Sequence, residues 1–249
     1  MSKKVLIIQH SLVVRPAYVT EFFTEHNIPF EILPIFDSNI QSKLPDNNTN
    51  NYSVIVSLGG PQGTYEDDIY PYLKWEKSFL AAQLTLNTPI LGLCLGAQLI
   101  ADVIGGHGHI GEYGQEAGYV QYELTTEGKH DPIMSKLFEE QQNKPLFIMH
   151  HKDSFDLPSN ASILAYTTNN YIAAYRSGSA FCVQFHPEAS FTEFNEWVQR
   201  TRNNRPEVYK NLNIDEILHQ AQACEIQADK SRRLFFETWW NSIQQQLTQ

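Results

Sequence analysis

A cysteine between two glycines, Cys94, has the surroundings that nucleophilic chemistry requires. The segment Gly92-Leu93-Cys94-Leu95-Gly96 connects an apolar run, which predicts a strand, to a segment with helical spacing. A sharp turn from strand to helix lifts a side chain clear of a sheet, and glycines relieve the crowding there. A helix N-terminus also favours a thiolate over a thiol. We therefore predict that Cys94 is a nucleophile, the alternative being a buried structural cysteine.

A histidine and a carboxylate supply the proton chemistry that a cysteine nucleophile needs. His186 and Glu188 follow the apolar run Phe181–Phe185, so a strand is predicted to deliver the histidine at its end. The imidazole takes and returns a proton, while a carboxylate beside it orients the ring and stabilises the imidazolium. A lone histidine is more often a structural residue. Together with the predicted elbow at Cys94, however, the pattern favours a Cys-His-Glu triad.

A third segment has the residues that hold a negative oxygen. Ser57-Leu58-Gly59-Gly60-Pro61-Gln62-Gly63 follows another apolar run, and glycines past a strand let backbone amides approach a small ligand. Attack on an amide carbonyl creates an oxyanion, which requires preorganised donors. The N–H groups of Gly60 and Leu95 are the predicted pair. A plain turn between strand and helix is the alternative.

The elements that must position these residues alternate between strand and helix. Non-alternating apolar runs predict buried parallel strands, and the carboxyl ends of such strands share one edge of the sheet. The predicted strands are Val5–Gln9, Phe30–Leu33, Val54–Leu58 and Ile90–Leu93, and the predicted helices between them are Ala17–His26 and Trp75–Leu84.

After Gly106 the pattern changes to short strand candidates that predict a small antiparallel extension and hairpins. His107-Gly108-His109 is interpreted as a flexible turn. The fold class is therefore α/β, an open, mostly parallel sheet flanked by helices, with that extension and C-terminal helices. The later strand candidates are Tyr119–Leu124, Leu146–Met149, Ile163–Thr167, Ile172–Arg176 and Phe181–Phe185.

The chain is expected to divide into a catalytic domain, residues 1–190, and a helical extension packed on it, residues 191–249. The segment Ile214–Gln249 has apolar anchors at helical spacing. A packed C-terminal helix is the first interpretation of that segment. A partner-binding helix, or one that forms a homodimer, is the other.

Composition narrows the function classes. The 249 residues carry a net charge of −10 and contain no Lys/Arg-rich block, which argues against a nucleic-acid partner. No stretch approaches the roughly 18 apolar residues of a membrane span, so no membrane association is expected. Three scattered cysteines suit neither a disulfide framework nor a zinc site, and no metal site or cofactor is predicted. A reducing cytoplasm is the expected compartment.

The motifs resemble those of the class I glutamine amidotransferases, over about residues 5–189. The resemblance rests on Gly59-Gly60-Pro61, on the segment Gly92 to Gln98 and on Gln184-Phe185-His186-Pro187-Glu188. The stretches Gln9-His10, Tyr65–Leu73 and Asp153–Pro158 are similar to the subgroup that includes the amidotransferase domain of GMP synthase. The resemblance implies a flavodoxin-like fold and hydrolysis of glutamine.

The same resemblance implies roles for individual residues. Cys94 would be the nucleophile, His186 the base and Glu188 its orienting acid, with Gly60 and Leu95 as the oxyanion hole. Gln98 would hold the amino-acid end of the substrate, and the other predicted substrate-binding residues are Gln62, Lys152 and Asp153.

The chain also departs from the subgroup. Relatives have His-Gly-Asp where this chain has His151-Lys152-Asp153, and an aromatic residue at the position of His150. A lysine in that loop would favour a more anionic γ-glutamyl compound, unless it is only a solvated charge. Because no ATP-binding loop is present, GMP synthesis by this chain alone is not expected.

Three functions therefore stay open at the level of sequence. The first is glutamine hydrolysis through a thioester, with ammonia passed to an unknown acceptor or a synthetase partner. The second is a γ-glutamyl peptidase or hydrolase that acts without such a partner. The third, from another class, is a non-catalytic binding or regulatory module on the same fold.

Overall fold

An eight-stranded sheet runs through the centre of the protein. The computed structural model describes residues 3–142 and 144–247. The strands are β1 Lys4–Gln9, β2 Phe30–Pro34, β3 Tyr52–Ser57, β4 Ile90–Leu93, β5 His107–Ile110, β6 Glu116–Tyr119, β7 Tyr122–Leu124, β8 Ile148–His151, β9 Asp153–Asp156, β10 Ser162–Thr167, β11 Ile172–Ser177 and β12 Ala180–Val183.

Helices cover both faces of this sheet. The α-helices are α1 Tyr18–Glu25, α2 Ser38–Gln41, α3 Tyr72–Thr85, α4 Leu95–Val103, α5 Thr126–His130, α6 Pro132–Glu140, α7 Phe191–Asn204, α8 Ile214–Ala223 and α9 Glu225–Leu247, and a 3-10 turn covers Pro206–Tyr209. Within the described ranges, every helix is too short or too polar to span a lipid bilayer.

The order of strands across the main sheet is β2-β1-β3-β4-β12-β11-β10-β7. The strands from β2 to β12 pair in parallel, and the strands from β12 to β7 pair antiparallel. Two smaller antiparallel pairs, β5 with β9 and β6 with β8, lie outside this sheet. The predicted fold class, an open and mostly parallel sheet with a small antiparallel extension, is confirmed.

Some element predictions after Gly106 are wrong. His107-Gly108-His109 is not a flexible turn, because it forms β5 and pairs with β9. Local sequence did not indicate this strand, whose pairing is decided by a tertiary neighbour rather than by propensity. The predicted strand Tyr119–Leu124 is interrupted between β6 and β7, and the strand predicted over Leu146–Met149 begins and ends two residues later, as β8.

Alternate side chains of β1 enter two different apolar cores. Val5 and Ile7 lie in the core beneath α1, α6 and α9, while Leu6 and Ile8 lie in the core beneath α3 and α4. Burial on both faces is the reason that the strand is apolar without alternation. The strands β1, β3 and β4 are therefore held from both sides, and their carboxyl ends form a fixed edge.

Helix α9 packs into the first of these cores. Its Phe235, Phe236, Trp239 and Ile243 side chains are buried, and the ring of Phe236 lies 5.5 Å from that of Tyr18 in α1. The division of the chain at residues 190 and 191 stays a prediction, as does homodimer formation. The end of the predicted helical segment, residues 248 and 249, lies outside the described residues.

Arg232 of α9 connects this helix to the segment that follows Glu188. Its guanidinium is buried and donates to the backbone oxygen of Ala189 and, at 2.7 Å, to a carboxylate oxygen of Glu225. The other oxygen of Glu225 accepts from the backbone N–H of Phe191 at 2.9 Å. Helix α9 therefore holds the backbone immediately after Glu188.

Replacing Arg232 is expected to destabilise the fold. The Arg232→Met variant removes the buried guanidinium that donates to the Glu225 carboxylate and to the Ala189 carbonyl, and we expect a loss of about 3 kcal/mol in the free energy of unfolding. Urea unfolding measures it. Arg233→Met is the control, because Arg233 is exposed and its ion pairs are expected to contribute less than about 1 kcal/mol. Equal losses in the two variants would contradict the assignment.

Candidate active site

Cys94 occupies a strained turn between β4 and α4. Its φ of 50° and ψ of −103° place it among the non-glycine residues with positive φ, a conformation that costs about 1–3 kcal/mol. Its N–H donates to the backbone oxygen of Val183 at 2.9 Å. A Cβ at Gly96 would lie 2.1 Å from the carbonyl oxygen of Ser57, so the turn requires glycine there. The structure therefore has the elbow that the sequence predicts.

His186 lies between Cys94 and Glu188. The Nδ1 atom of His186 is 2.8 Å from Glu188 Oε1. The His186 side chain is also hydrogen-bonded to Cys94, and because Nδ1 faces Glu188, Nε2 is the ring nitrogen left for the sulfur. All three side chains are buried. The strand β12 ends at Val183, earlier than predicted, and the N–H of His186 donates to the backbone oxygen of Ile148 at 2.8 Å. The β8 strand thus helps to hold the histidine.

The charge of His186 is set by its two neighbours. Burial lowers the pKa of His186, but the charges of Glu188 and Cys94 and the hydrogen bonds to both outweigh burial and raise that pKa to about 10. Glu188 Oε2 has no hydrogen-bond partner within the described residues, so this carboxylate is directed at His186 through its other oxygen. At neutral pH the arrangement favours an imidazolium between a sulfur and a carboxylate.

The backbone amides of Gly60 and Leu95 have no acceptors within the described residues. A Cβ at Gly60 would lie 2.7 Å from Leu95 Cδ2, so the two residues are in contact. A Cβ at Gly59 would lie 2.7 Å from His186 Cε1 and 3.4 Å from Cys94 Cβ. The structure therefore places both residues next to the turn at Cys94, and their role as an oxyanion hole stays a prediction.

A cleft of about 680 Å³ opens over Cys94 and His186. The four predicted substrate-binding residues all line it, namely Gln62, Gln98, Lys152 and Asp153. Within the described residues, no three His, Cys, Asp or Glu side chains are grouped as metal ligands. Because polar side chains line the cleft together with Cys94, it can hold a small polar molecule next to the sulfur.

The contacts of these four residues differ. Gln98 Nε2 donates to the backbone oxygen of Asp153 and to Gln184 Oε1, both at 3.1 Å, so its amide nitrogen holds the loop. Asp153 Oδ2 accepts from Tyr65 Oη at 3.0 Å. Burial raises the pKa of the Asp153 carboxyl, while the hydrogen bond from Tyr65 and the charge of the exposed Lys152 act in the opposite direction.

The side chain of Gln62 lies in the wall of the cleft. Its Nε2 donates to the backbone oxygen of His10 and to Tyr72 Oη, whereas its buried Oε1 has no partner within the described residues. An unpaired buried oxygen is costly unless a ligand or water donates to it. Gln62 Oε1 is therefore an unpaired acceptor in a residue that lines the cleft.

Sequence reasoning missed several residues of the cleft. Tyr65 begins a stretch that resembles the GMP synthase subgroup. Its contact with Asp153, however, joins two segments that are distant in the sequence. His151 is buried against Glu116 at 2.9 Å, and no spacing indicates this pair because no strand was predicted at Glu116. Trp197 of α7 lies with its ring 4.7 Å from that of His186. A tryptophan at this helical position is equally typical of ordinary helix packing, so the sequence carried no signal that Trp197 contacts the site.

His150 lines the cleft next to His151 and packs against α7 and the turn that follows it. It is hydrogen-bonded to Tyr209 Oη at 2.6 Å, and its ring lies 5.9 Å from that of Trp197. Burial lowers the pKa of His150 to about 3, and the charges of His186, His151 and Arg205 act in the same direction. The ring is therefore neutral at physiological pH.

Replacing His150 by phenylalanine is expected to reduce the acid sensitivity of the fold. The unfolded chain protonates this histidine below pH 6.5 and the folded chain does not, so its presence lowers stability as the pH falls from about 6.5 towards 3. His150→Phe removes a slope of up to about 1.4 kcal/mol per pH unit. Urea unfolding at pH 7 and 4.5 measures this slope. An equal loss in the free energy of unfolding of variant and wild type between these pH values would contradict the expectation.

Comparison with known proteins places the chain in a family. The glutamine amidotransferase class-I family model matches residues 18–202. A protein named GMP synthase [glutamine-hydrolyzing], from Helicobacter pylori strain HPAG1, is 36% identical over 172 residues. The match covers 68% of this chain and 30% of that protein. This chain thus corresponds to less than a third of the length of such relatives.

Solved structures with the same fold cover nearly the whole chain. A glutamine amidotransferase from Thermotoga maritima aligns with a TM-score of 0.78 and 26% identity, over 96% of this chain and 98% of that one. A glutamine amidotransferase from Methylobacillus flagellatus aligns with a TM-score of 0.77 and 21% identity, over 97% and 95% of the two chains, and shows the fold alone. The chain therefore belongs to the class I glutamine amidotransferases, a family of enzymes.

Proposed function

We propose that this chain hydrolyses the side-chain amide of glutamine through a thioester on Cys94. The observation that supports it is the buried hydrogen-bonded line from Cys94 through His186 to Glu188, beside two amides without acceptors. A sulfur nucleophile, a proton carrier and an oxyanion site are the three parts that acyl transfer from an amide requires.

The proposed reaction uses the imidazolium in its first step. The sulfur of Cys94 attacks the γ-carbonyl carbon, and the oxygen that becomes negative accepts from the amides of Gly60 and Leu95. The carbon–nitrogen bond breaks as His186 gives its proton to the departing nitrogen, which leaves as ammonia. Neutral His186 then takes a proton from water, hydroxide attacks the thioester, and glutamate leaves with the sulfur restored.

The predicted substrate-binding residues have proposed roles in this reaction. The unpaired Oε1 of Gln62 suits the α-ammonium of glutamine, and the exposed ammonium of Lys152 suits its α-carboxylate. Gln98 and Asp153 hold the loop from which Lys152 extends, since the Gln98 side chain donates to the backbone oxygen of Asp153. Their contribution to substrate binding is then chiefly to position that loop.

Trapping the acyl group on the sulfur tests the proposal. The protein is incubated with glutamine and hydroxylamine, and glutamate, ammonia and γ-glutamyl hydroxamate are measured. We expect hydroxamate to form at the expense of glutamate, because hydroxylamine competes with water for the thioester. The Cys182→Ala variant is the control, since Cys182 is buried in the core and we expect it to form hydroxamate as the wild type does. Turnover without hydroxamate would contradict the thioester.

The acceptor of the ammonia and any partner are part of the proposal. The relative from Helicobacter pylori is named a GMP synthase, and this chain spans only 30% of it. We propose that a separate synthetase protein receives the ammonia, in the cytoplasm, where the free thiols of Cys94, Cys182 and Cys224 stay reduced. A synthetase that copurifies and raises the glutaminase rate would support this. A chain that stays alone and fully active would oppose it.

A second candidate function is hydrolysis of γ-glutamyl compounds larger than glutamine. One wall of the cleft is a single face of α7, because Trp197, Arg200, Thr201 and Asn204 follow helical spacing. Trp197 contacts His186, and Arg200 lies roughly 4.5 Å further along the helix axis. In the described part of the chain Arg200 forms no ion pair, so it is free for a carboxylate on the leaving amine.

Two paired substrates separate the candidates. γ-Glutamylglycine and γ-glutamyl ethylamide have leaving amines of similar size, but only the first carries a carboxylate. A hydrolase of this kind is expected to prefer γ-glutamylglycine by kcat/KM, and Arg200→Met is expected to reduce that preference about tenfold. Arg202→Met is the control, because Arg202 pairs with Asp215 and does not line the cleft. If the protein turned over glutamine efficiently but neither γ-glutamyl substrate, this candidate would be ruled out.

A further inference from the structure

We propose that His10 is a positioning residue that orients the Gly59–Gly60 peptide toward the oxyanion. This inference rests on the proposed function. His10 lies outside the line of Cys94, His186 and Glu188, and the carboxylate of Glu76 holds it. This buried histidine then contributes to the rate of acyl transfer rather than to substrate binding.

A fully buried chain of hydrogen bonds carries the inference. His10, Glu76 and Ser57 are each 0% exposed. Ser57 Oγ donates to Glu76 Oε1 at 2.7 Å, and Glu76 Oε2 lies 2.7 Å from His10 Nε2. At the other side of the ring, His10 Nδ1 lies 3.2 Å from the backbone oxygen of Gly59. A carbonyl oxygen only accepts, so Nδ1 carries the hydrogen of that bond.

The hydrogen bond acts on the amide that faces the substrate. The carbonyl of Gly59 and the N–H of Gly60 belong to one planar peptide group, so a hold on the oxygen fixes the direction of the N–H. Two successive glycines would otherwise leave this peptide free to rotate. A donor on the carbonyl also polarises the peptide and strengthens the N–H as a donor.

The same network is tied to the elbow itself. Ser57, at the end of β3, packs so closely on Gly96 that no side chain fits between them, and the Gly96 N–H donates to the backbone oxygen of Leu58 at 3.1 Å. Gln62 Nε2 donates to the backbone oxygen of His10 at 3.1 Å. The Gly60 amide is thus fixed relative to the Leu95 amide, which begins α4 on the other side of the oxyanion.

Two substitutions of His10 separate the Nδ1 contact from the Nε2 contact. His10→Asn keeps a donor near the position of Nδ1 and loses the contact with Glu76, whereas His10→Gln keeps a donor near Nε2 and loses the contact with Gly59. We expect His10→Gln to lower kcat for glutamine 10²- to 10³-fold with little change in KM, as for removal of one oxyanion donor. His10→Asn is expected to lose less than about tenfold.

Alkylation of Cys94 by iodoacetamide is the second readout. Alkylation forms no oxyanion, so both His10 variants are expected to alkylate within about threefold of the wild-type rate. Equal losses of kcat in the two variants, an unchanged kcat in His10→Gln, or a parallel loss of alkylation would each overturn the inference. In those cases wild-type turnover still supports the proposed function, whereas a wild type that hydrolyses no γ-glutamyl substrate overturns the proposed function itself.

A pair of substitutions at Glu76 keeps the test independent of the folding of the His10 variants. Glu76→Gln retains an amide that can hydrogen-bond with His10 Nε2 whichever of the two groups donates, and Glu76→Ala removes that partner. We expect Glu76→Ala to lower kcat at least tenfold more than Glu76→Gln, with KM similar in both. Equal kcat values in these two variants would overturn the role of the network.

Discussion

The Cys94→Ala variant is expected to lower kcat/KM for glutamine at least about 10⁴-fold, because no other side chain can form the acyl intermediate. The fold is expected to tolerate this change, since alanine is smaller than cysteine. The strained φ of 50° belongs to the backbone and is held by the hydrogen bond from the Cys94 N–H to Val183. The loss is therefore a loss of chemistry and not of structure.

Glutamate release, measured with an independent folding assay, tests this expectation. Cys224→Ala is the matched control, because Cys224 follows α8 and does not line the cleft, so we expect full activity in that variant. Equal glutamate release by Cys94→Ala and wild type would contradict the role of the sulfur. If the wild type were inactive and Cys94 reacted with iodoacetamide only slowly, a non-catalytic module would be the better interpretation.

The part of the fold that carries Cys94 could be predicted because its signals are local. The strands β1, β3 and β4 are apolar without alternation, and glycines at Gly92 and Gly96 mark a turn that allows no other residue at the second position. Each of these features depends on a few adjacent residues. The edge of the sheet at which the triad was predicted to meet then follows from the parallel arrangement alone.

The part that could not be predicted depends on contacts between distant segments. The β5 and β9 strands are short and polar, and their pairing between His107–Ile110 and Asp153–Asp156 joins residues about 45 positions apart. The buried pair of His151 and Glu116 arises from the pairing of β8 with β6. Composition does not reveal such partners, so the walls of the cleft were less predictable than its nucleophile.

Glu188→Gln is expected to lower kcat about 10³- to 10⁴-fold with little change in the position of His186. The amide of glutamine can still accept from His186 Nδ1 through its oxygen, but it brings no negative charge. The charge of Glu188 is the largest of the influences that raise the pKa of His186 against burial. Its loss therefore lowers the pKa of His186 and leaves a neutral imidazole without a proton for the departing ammonia.

The same substitution has a pH signature in stability. The pKa of His186 is about 10 in the folded protein and about 6.5 in an unfolded chain, so the folded state binds the extra proton between these values. The stabilisation is complete below pH 6.5 and is lost as the pH rises through 10, with a slope of up to about 1.4 kcal/mol per pH unit. In Glu188→Gln the free energy of unfolding is expected to change much less over this pH range. Urea unfolding at pH 6 and pH 9.5 should therefore show wild type and variant converging at the higher pH, whereas a constant difference would mean that Glu188 does not hold the charge on His186.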